Sequence, residues 1–136
     1  GIRNEAYGIL QREDTLKEIV KLLGPDALPD EEKLILEIAR MVKIGLLQQN
    51  SFDDVDTYCS PEKQFKLLKL VVDFYKLGQQ SLKEGTPLAS IRELPVVTSL
   101  LKARMDIKDD EMPKLDQLEN DMKEQFKNIS GVKVTN

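Results

Sequence analysis

Apolar residues recur at intervals of three and four along almost the whole chain, and this spacing constrains the fold more than any other feature of the sequence. The first such stretch runs from about Arg3 to Leu23, and Gly24-Pro25 then ends it as a helix terminator. Ser60-Pro61-Glu62 combines a capping serine with proline at the first helical position, which indicates a helix start. The pattern predicts an all-α fold, a helical bundle of about five to six helices.

The remaining helices follow from the same spacing. After a short acidic turn at residues 26–32, the predicted helices end at about Leu47, about Lys83, Leu94, about Met105 and about Ile129. We expect residues 1–129 to form a single helical domain and residues 130–136 to form a frayed tail.

Two expectations concern individual helices. The first helix has capping-box spacing at Thr15 and Glu18, so a kink or restart near Asp14 is open to it. The helix that begins at Pro61 is expected to turn five apolar side chains inward: Phe65, Leu68, Val72, Tyr75 and Leu82.

The composition excludes several classes of function. The net charge is −4 with no basic stripe, so nucleic acid is not an expected partner. No apolar run approaches the ~20 residues that cross a bilayer, so no direct membrane insertion is expected. Histidine is absent and Cys59 is the single cysteine, which excludes Cys/His zinc sites and Cys-His dyads. Cys59 is expected to be a small buried side chain in a reducing compartment.

Nucleotide and metal motifs are also missing. The isolated glycines form neither a P-loop nor a G-x-G-x-x-G turn, so this chain alone is not expected to hydrolyse nucleotides. Asp53, Asp54 and Asp56 lack the glycine of a calcium loop, so we interpret them as capping and solvated residues, and no metal site is predicted. On the residues alone, the acidic turn is a solvated helix cap and Phe52 is a loop residue packed on the core.

Two long stretches nevertheless resemble a known family. G-P-D-A-L-P-D-E-E-K-L-I-L-E-I-A-R-M and L-Q-Q-N-S-F-D-D-V-D-T-Y-C-S-P-E-K-Q look like the C-terminal region of the catalytic A subunit of A-type and V-type ATP synthases. The opening A-Y-G-I-L-Q-R-E-D-T-L-K-E-I-V is similar to the same region. The resemblance covers roughly residues 4–126 and implies a helical bundle that faces a rotating shaft. Because the chain does not begin with Met, we expect it to be cut from a longer polypeptide.

The resemblance implies two binding regions. Phe52, beside Ser51, matches an aromatic residue that helps to form the adenine pocket. The acidic turn matches a segment that contacts the rotor stalk, and its candidate contact residues are Asp26, Leu28, Asp30, Glu31 and Glu32.

Two departures from the family pattern stand out. Ser51 replaces an expected alanine, which makes the pocket wall slightly more polar. Gly45 is expected to weaken the end of the second helix by up to ~1 kcal/mol relative to alanine.

The resemblance also implies partners and setting. The family's P-loop, catalytic glutamate and metal-binding residues lie upstream, so this chain alone is expected to have no catalytic residues and no cofactor, while the full subunit takes ATP or ADP with Mg. The implied partners are B subunits in a hexameric ring and a central stalk of D and F subunits, in the cytoplasmic sector peripheral to the membrane. ATP synthesis or hydrolysis would be coupled there to proton or sodium transport. A-type and V-type remain open, and the alternative is a free-standing helical protein–protein interaction module.

Overall fold

The computed structural model describes residues 1–47 and 59–134, and its side chains are described for residues 1–46 and 59–130. The α-helices within that part of the chain are α1 (Ile2–Leu23), α2 (Asp30–Val42), α3 (Pro61–Lys83), α4 (Leu88–Arg92), α5 (Pro95–Asp106) and α6 (Pro113–Val134). Single 3-10 turns precede α2 and α6, and a wider π turn, Lys43–Leu47, extends α2. The predicted all-α fold is confirmed.

The helix ends follow from local chemistry. Ser60 has an extended backbone, and its Oγ accepts a 3.1 Å hydrogen bond from the Lys63 N–H, so α3 spans the predicted Pro61–Lys83. Gly24 ends α1 at a φ of 91°, which favours glycine, and its N–H donates to the Val20 carbonyl. Helix α1 is continuous through Thr15 and Glu18, so the helix does not restart near Asp14. Helix α6 continues to Val134, into the stretch where we expected a frayed tail.

Helix α2 packs against both α1 and α3, which also contact each other. Its apolar side chains are inside: Leu34, Ile38, Ala39, Met41 and Val42 are buried, and Ile35 is partly buried. Helices α3 and α6 meet through an edge-to-face contact between the rings of Phe74 and Phe126, whose centroids lie 5.0 Å apart.

The predicted inner face of α3 was partly wrong. Phe65 is 45% exposed and lines an open groove between α1 and α3, while Val72 is buried as expected. The buried apolar side that the prediction missed consists of Leu67, Leu70, Val71 and Phe74. Helix α3 contacts α1, α2, α5 and α6, so its buried surface is wider than one stripe, and periodicity alone does not fix its centre.

The glycine at the end of α2 has a packing role. A Cβ on Gly45 would lie 3.3 Å from the Leu100 carbonyl oxygen and 3.6 Å from the Leu101 Cα, both backbone atoms of α5. Because a helix backbone cannot move aside as a side-chain tip can, Gly45 lets the π turn approach α5 closely.

This contact predicts different outcomes for alanine substitutions at two glycines. Gly8→Ala in α1, where nothing lies within 4 Å of the added Cβ, should raise the free energy of unfolding by about 0.5–1 kcal/mol. Gly45→Ala should show no such gain, because the crowding against α5 offsets the better helix propensity. Urea unfolding followed by circular dichroism measures both. An equal gain in the two variants would show that the approach to α5 is not tight.

Candidate functional site

The acidic tip, residues 22–32, is the surface formed where α1 ends and α2 begins. Asp26 lies in the 3-10 turn, and Asp30 and Glu31 open α2; all three are exposed. Glu32 is half-buried, because its carboxylate accepts a 2.6 Å hydrogen bond from the Arg12 guanidinium of α1. Acids in the first turn of a helix are favoured by the positive end of its dipole, so the carboxylates at the start of α2 stabilise that helix end.

Two leucines at the acidic tip were missed by the sequence reasoning. Leu22 and Leu23, the last residues of α1, are 79% and 73% exposed. Leu28, predicted as a contact residue, is instead buried at 4% exposure and supports the turn from inside. The sequence signal for their exposure was their position directly before Gly-Pro, because the last turn of a helix can project beyond the core. The acidic tip therefore presents apolar surface beside carboxylates.

Neighbouring residues of α1 hold both ends of α2. Arg12 binds Glu32 at the start of α2, as described above. Glu13 is 4% exposed, and its carboxylate contacts Lys43, just beyond α2, at 2.5 Å and Lys17 at 3.4 Å. The hydrogen bond that Lys43 donates to the Glu13 carboxylate raises the pKa of Lys43 above its ordinary value. These contacts join α1 and α2 into one unit.

The far end of α2 meets the α5 corner, residues 104–109. The Arg104 Nη1 donates to the Leu46 carbonyl at 3.2 Å, and the Arg104 side chain also acts to lower the pKa of the Cys59 thiol. The Ser60 N–H donates to the Asp109 Oδ1 at 3.4 Å. The corner thus contacts the chain on both sides of residues 48–58. Phe52 and Ser51, with Asp53, Asp54 and Asp56, lie outside the described residues.

A buried lysine holds the α5 corner in place. Lys63 is 2% exposed, and its Nζ donates to the Arg104 carbonyl at 2.7 Å and to the Ile107 carbonyl. Cys59 is half-buried, and burial raises the pKa of its thiol, with the charges of Lys63 and Arg104 acting in the opposite direction. Cys59 was expected to be a buried side chain, and it is half-buried instead.

One helical rod connects the acidic tip to the α5 corner. Helix α2 contributes 13 residues and the π turn another five. At 1.5 Å per residue the rod is roughly 27 Å long. Helix α1 contacts both ends of α2 within this rod, through Arg12–Glu32 and Glu13–Lys43, and α3 packs against α2 as well.

Residues 1–47 and 59–134, the part of the chain that the structure describes, hold neither a metal cluster nor a membrane span. There, no group of three or more histidine, cysteine, aspartate or glutamate side chains is placed to hold a metal ion. No helix in these ranges combines the length and apolar character needed to cross a membrane.

A family model described as the C-terminal domain of V and A type ATP synthase matches residues 1–92, more than half of the chain. The chain belongs to this family. The V/A-type membership agrees with the resemblance of the acidic tip and the 48–60 stretch, and it does not favour a free-standing interaction module.

Individual relatives extend the match beyond residue 92. The A subunit of the A-type ATP synthase of Hyperthermus butylicus is 46% identical over 122 residues, which cover 88% of this chain and 20% of that protein. The protein of the same name from Methanopyrus kandleri is 41% identical over 128 residues, covering 94% of this chain and 22% of that protein. Its counterpart from Methanococcus maripaludis strain C7 is 50% identical over 95 residues, covering 70% and 16%. This V/A-type domain therefore spans about a fifth of the length of these relatives.

Proposed function

We propose that this domain is the C-terminal helical part of the catalytic A subunit of an A-type ATP synthase, and that it passes nucleotide-driven movement to the central rotor stalk. The observation that carries the proposal is the placement of exposed leucines and acids at one end of a helical rod. The other end of that rod leads into residues 48–58, which contain Phe52. The proposal thus assigns the response to bound nucleotide to one end of the rod and the contact with the stalk to the other.

Packing by the leucines supplies most of the contact with the stalk in this proposal. Burying a leucine side chain is worth about 1.5–3 kcal/mol. An exposed ion pair is worth only about 0.2–1 kcal/mol and is screened by salt. Leu22 and Leu23 therefore outweigh Asp26, Asp30 and Glu31, whose charges orient the partner and give specificity.

The ties between α1 and α2 suit movement of the domain as a rigid body. Arg12–Glu32 and Lys43–Glu13 link the two helices at both ends of α2. A push on α2 then displaces α1 and the acidic tip together instead of bending the turn, which is the behaviour of a hinge-type transition.

The rest of the proposal concerns the complete subunit. Phe52, with Ser51 beside it, contacts the adenine of ATP or ADP bound with Mg by upstream residues. B subunits alternate with A subunits in the ring, and the D and F subunits form the stalk that the acidic tip meets. The assembly is peripheral to the membrane on its cytoplasmic side and couples ATP synthesis or hydrolysis to the transport of protons or sodium ions.

Site-specific photo-crosslinking in the assembled ATP synthase tests the stalk contact. A photoreactive amino acid replaces Leu22 in one variant and Met105 in the other. Met105 is a matched control, because it is also apolar and 53% exposed but lies at the α5 corner, the far end of the rod. We expect illumination during ATP turnover to link position 22 to a stalk subunit and to leave position 105 without that product. Absence of a stalk product from position 22, or equal products from both positions, would contradict the proposal.

A further inference from the structure

A groove with a volume of about 510 Å³ lies between the first three turns of α1 and the first two turns of α3. Among the side chains that line it, six define the α1–α3 groove: Arg3, Ala6, Tyr7 and Leu10 of α1, and Phe65 and Leu68 of α3. The α1 residues recur at intervals of three and four, so they lie on one face of that helix. The groove therefore begins at the N-terminal end of α1.

The α1–α3 groove has an apolar floor and an aromatic rim. Ala6 is buried, and Leu10 and Leu68 are partly buried against the core. Tyr7 is 63% exposed and Phe65 is 45% exposed, so both rings leave much of their surface open. Contiguous exposed apolar surface bordered by polar groups marks an interaction site, and aromatic side chains are enriched at such sites.

Arg3 places a positive charge at the N-terminal end of the groove. It is exposed, and it forms no ion pair with any side chain that the structure describes. Glu5, the nearest acid in sequence, pairs instead with Lys76 at 3.4 Å. Because arginine is well suited to bind carboxylates at interfaces, the groove favours a partner that carries an acid beside apolar side chains.

The size and position of the groove favour a partner that is joined to this chain. A stable contact between separate proteins buries roughly 1,200–2,000 Å² of surface, whereas a groove of this size receives only a few side chains. A covalently joined segment needs less contact, because the junction already keeps it at a high local concentration. At 1.5 Å per residue, the groove residues of α1 lie within about 14 Å of Gly1 along the helix.

In the proposed function, a longer part of the same subunit precedes this domain and joins it at Gly1. The matched family model is that of a C-terminal domain, and the relatives have about four fifths of their length outside the stretch that matches this chain. The part that precedes Gly1 would consequently start within reach of the groove.

We propose that the α1–α3 groove is the docking site of the preceding domain of the same polypeptide. That domain inserts apolar side chains beside Tyr7 and Phe65 and offers a carboxylate to Arg3. The docking site rests on the proposed function in one respect, that a domain precedes Gly1, and is independent of the stalk contact. With this contact in addition to the covalent junction, α1 cannot turn freely about Gly1, so the two domains move together.

Photo-crosslinking in the complete A subunit, without any other subunit, tests the occupant. A photoreactive amino acid replaces Tyr7 in one variant and Leu23 in the other. Leu23 is the matched control, because it is apolar, 73% exposed and at the opposite end of the same helix. We expect position 7 to be linked to a residue that precedes Gly1 in the same polypeptide, at a yield about tenfold above that of position 23.

Every other product would overturn the proposal. A product between two copies of the subunit would identify a second copy as the occupant. A product within residues 1–136 would show that this domain fills its own groove. Absence of a product from position 7, or equal yields from both positions, would show that the groove stays open.

Charge reversal tests the carboxylate. Arg3→Glu should lower the yield from position 7 about fivefold, whereas Arg3→Lys should keep most of it. An acid in the first turn favours α1, so loss of the helix does not explain the drop. Lys21→Glu, the same reversal in the last turn of α1, should leave the yield unchanged. An unchanged yield in Arg3→Glu, or an equal loss in Lys21→Glu, would overturn the carboxylate partner.

This experiment and the stalk experiment fail independently. A stalk product from position 22 with no intrachain product from position 7 would overturn the docking site and leave the proposed function intact. An intrachain product from position 7 with no stalk product from position 22 would contradict the proposed function and leave the docking site intact.

Discussion

Lys63→Met is expected to lower the free energy of unfolding by about 2–4 kcal/mol, the largest stability loss that we predict for a polar residue of this domain. Methionine has a similar length and fills the same 2% exposed site, but it cannot donate to the Arg104 and Ile107 carbonyls. Each hydrogen bond from a charged donor is worth about 1.5–3 kcal/mol, and two buried acceptors would be left without this donor. The gain from no longer burying an ammonium group offsets part of this loss.

The position of those carbonyls adds to the effect. They lie at the C-terminal end of α5, where the helix dipole is negative and a lysine is favourable. Replacement by methionine therefore removes a charge–dipole interaction along with the hydrogen bonds. For a chain of this size, each kcal/mol lowers the melting temperature by roughly 3–5 °C, so we expect a drop of about 6–20 °C.

Lys66→Met is the control for this experiment. Lys66 lies three residues further along α3 and is half-buried at the surface, so the same substitution should change stability by less than about 0.5 kcal/mol. Thermal and urea unfolding of both variants give the comparison. Similar values for the two would mean that the Lys63 hydrogen bonds contribute little net stability.

Helix positions were predictable because the stop and start signals are local. Gly24-Pro25 and Ser60-Pro61 act within one turn of the chain, and the structure places the end of α1 and the start of α3 there. The rotation of α3 was less predictable. Phe65 and Leu67 are both apolar, and only the arrangement of the surrounding helices determines that Leu67 is buried and Phe65 is half-exposed.

The polar contacts inside the domain could not be predicted at all. Glu13, Lys63 and Arg104 look like ordinary helix-surface charges in the sequence, since each lies in a charged, helix-forming stretch. Their partners are 30, 44 and 58 residues away, at Lys43, Ile107 and Leu46 respectively. Periodicity reports only neighbours three or four residues apart, so contacts of this range need the folded arrangement.

At the acidic tip, too, features set by neighbouring residues were predictable and features set by the folded arrangement were not. The exposed acids were predictable from helix-capping chemistry, which depends on residues within one turn. Leu28 is buried and Leu22 is exposed. Which of the two is exposed depends on the direction in which α1 projects from the core. The resemblance to ATP synthases identified the family correctly but did not show which apolar residues of the tip are available to a partner.

Phe52→Ala in the complete A subunit is expected to weaken ATP binding by roughly ten- to a hundredfold. Stacking of an aromatic side chain on a base is worth about 1–3 kcal/mol, and each 1.4 kcal/mol changes a dissociation constant tenfold. Because the stacking partner is the base, the variant should bind inorganic tripolyphosphate, which has no base, as tightly as the parent does. Phe52→Tyr keeps the ring and should keep most of the ATP affinity.

Isothermal titration with ATP and with tripolyphosphate separates this role from a general effect on the protein. Phe65→Ala is the aromatic control, because Phe65 is 45% exposed on α3 and belongs to neither the proposed adenine pocket nor the acidic tip. That variant should bind both ligands as the parent does. A parallel loss of ATP and tripolyphosphate affinity in Phe52→Ala would indicate that the substitution disturbs the whole site, and unchanged ATP affinity would remove Phe52 from the adenine pocket. A selective loss for ATP alone would mean that the ring contacts the base.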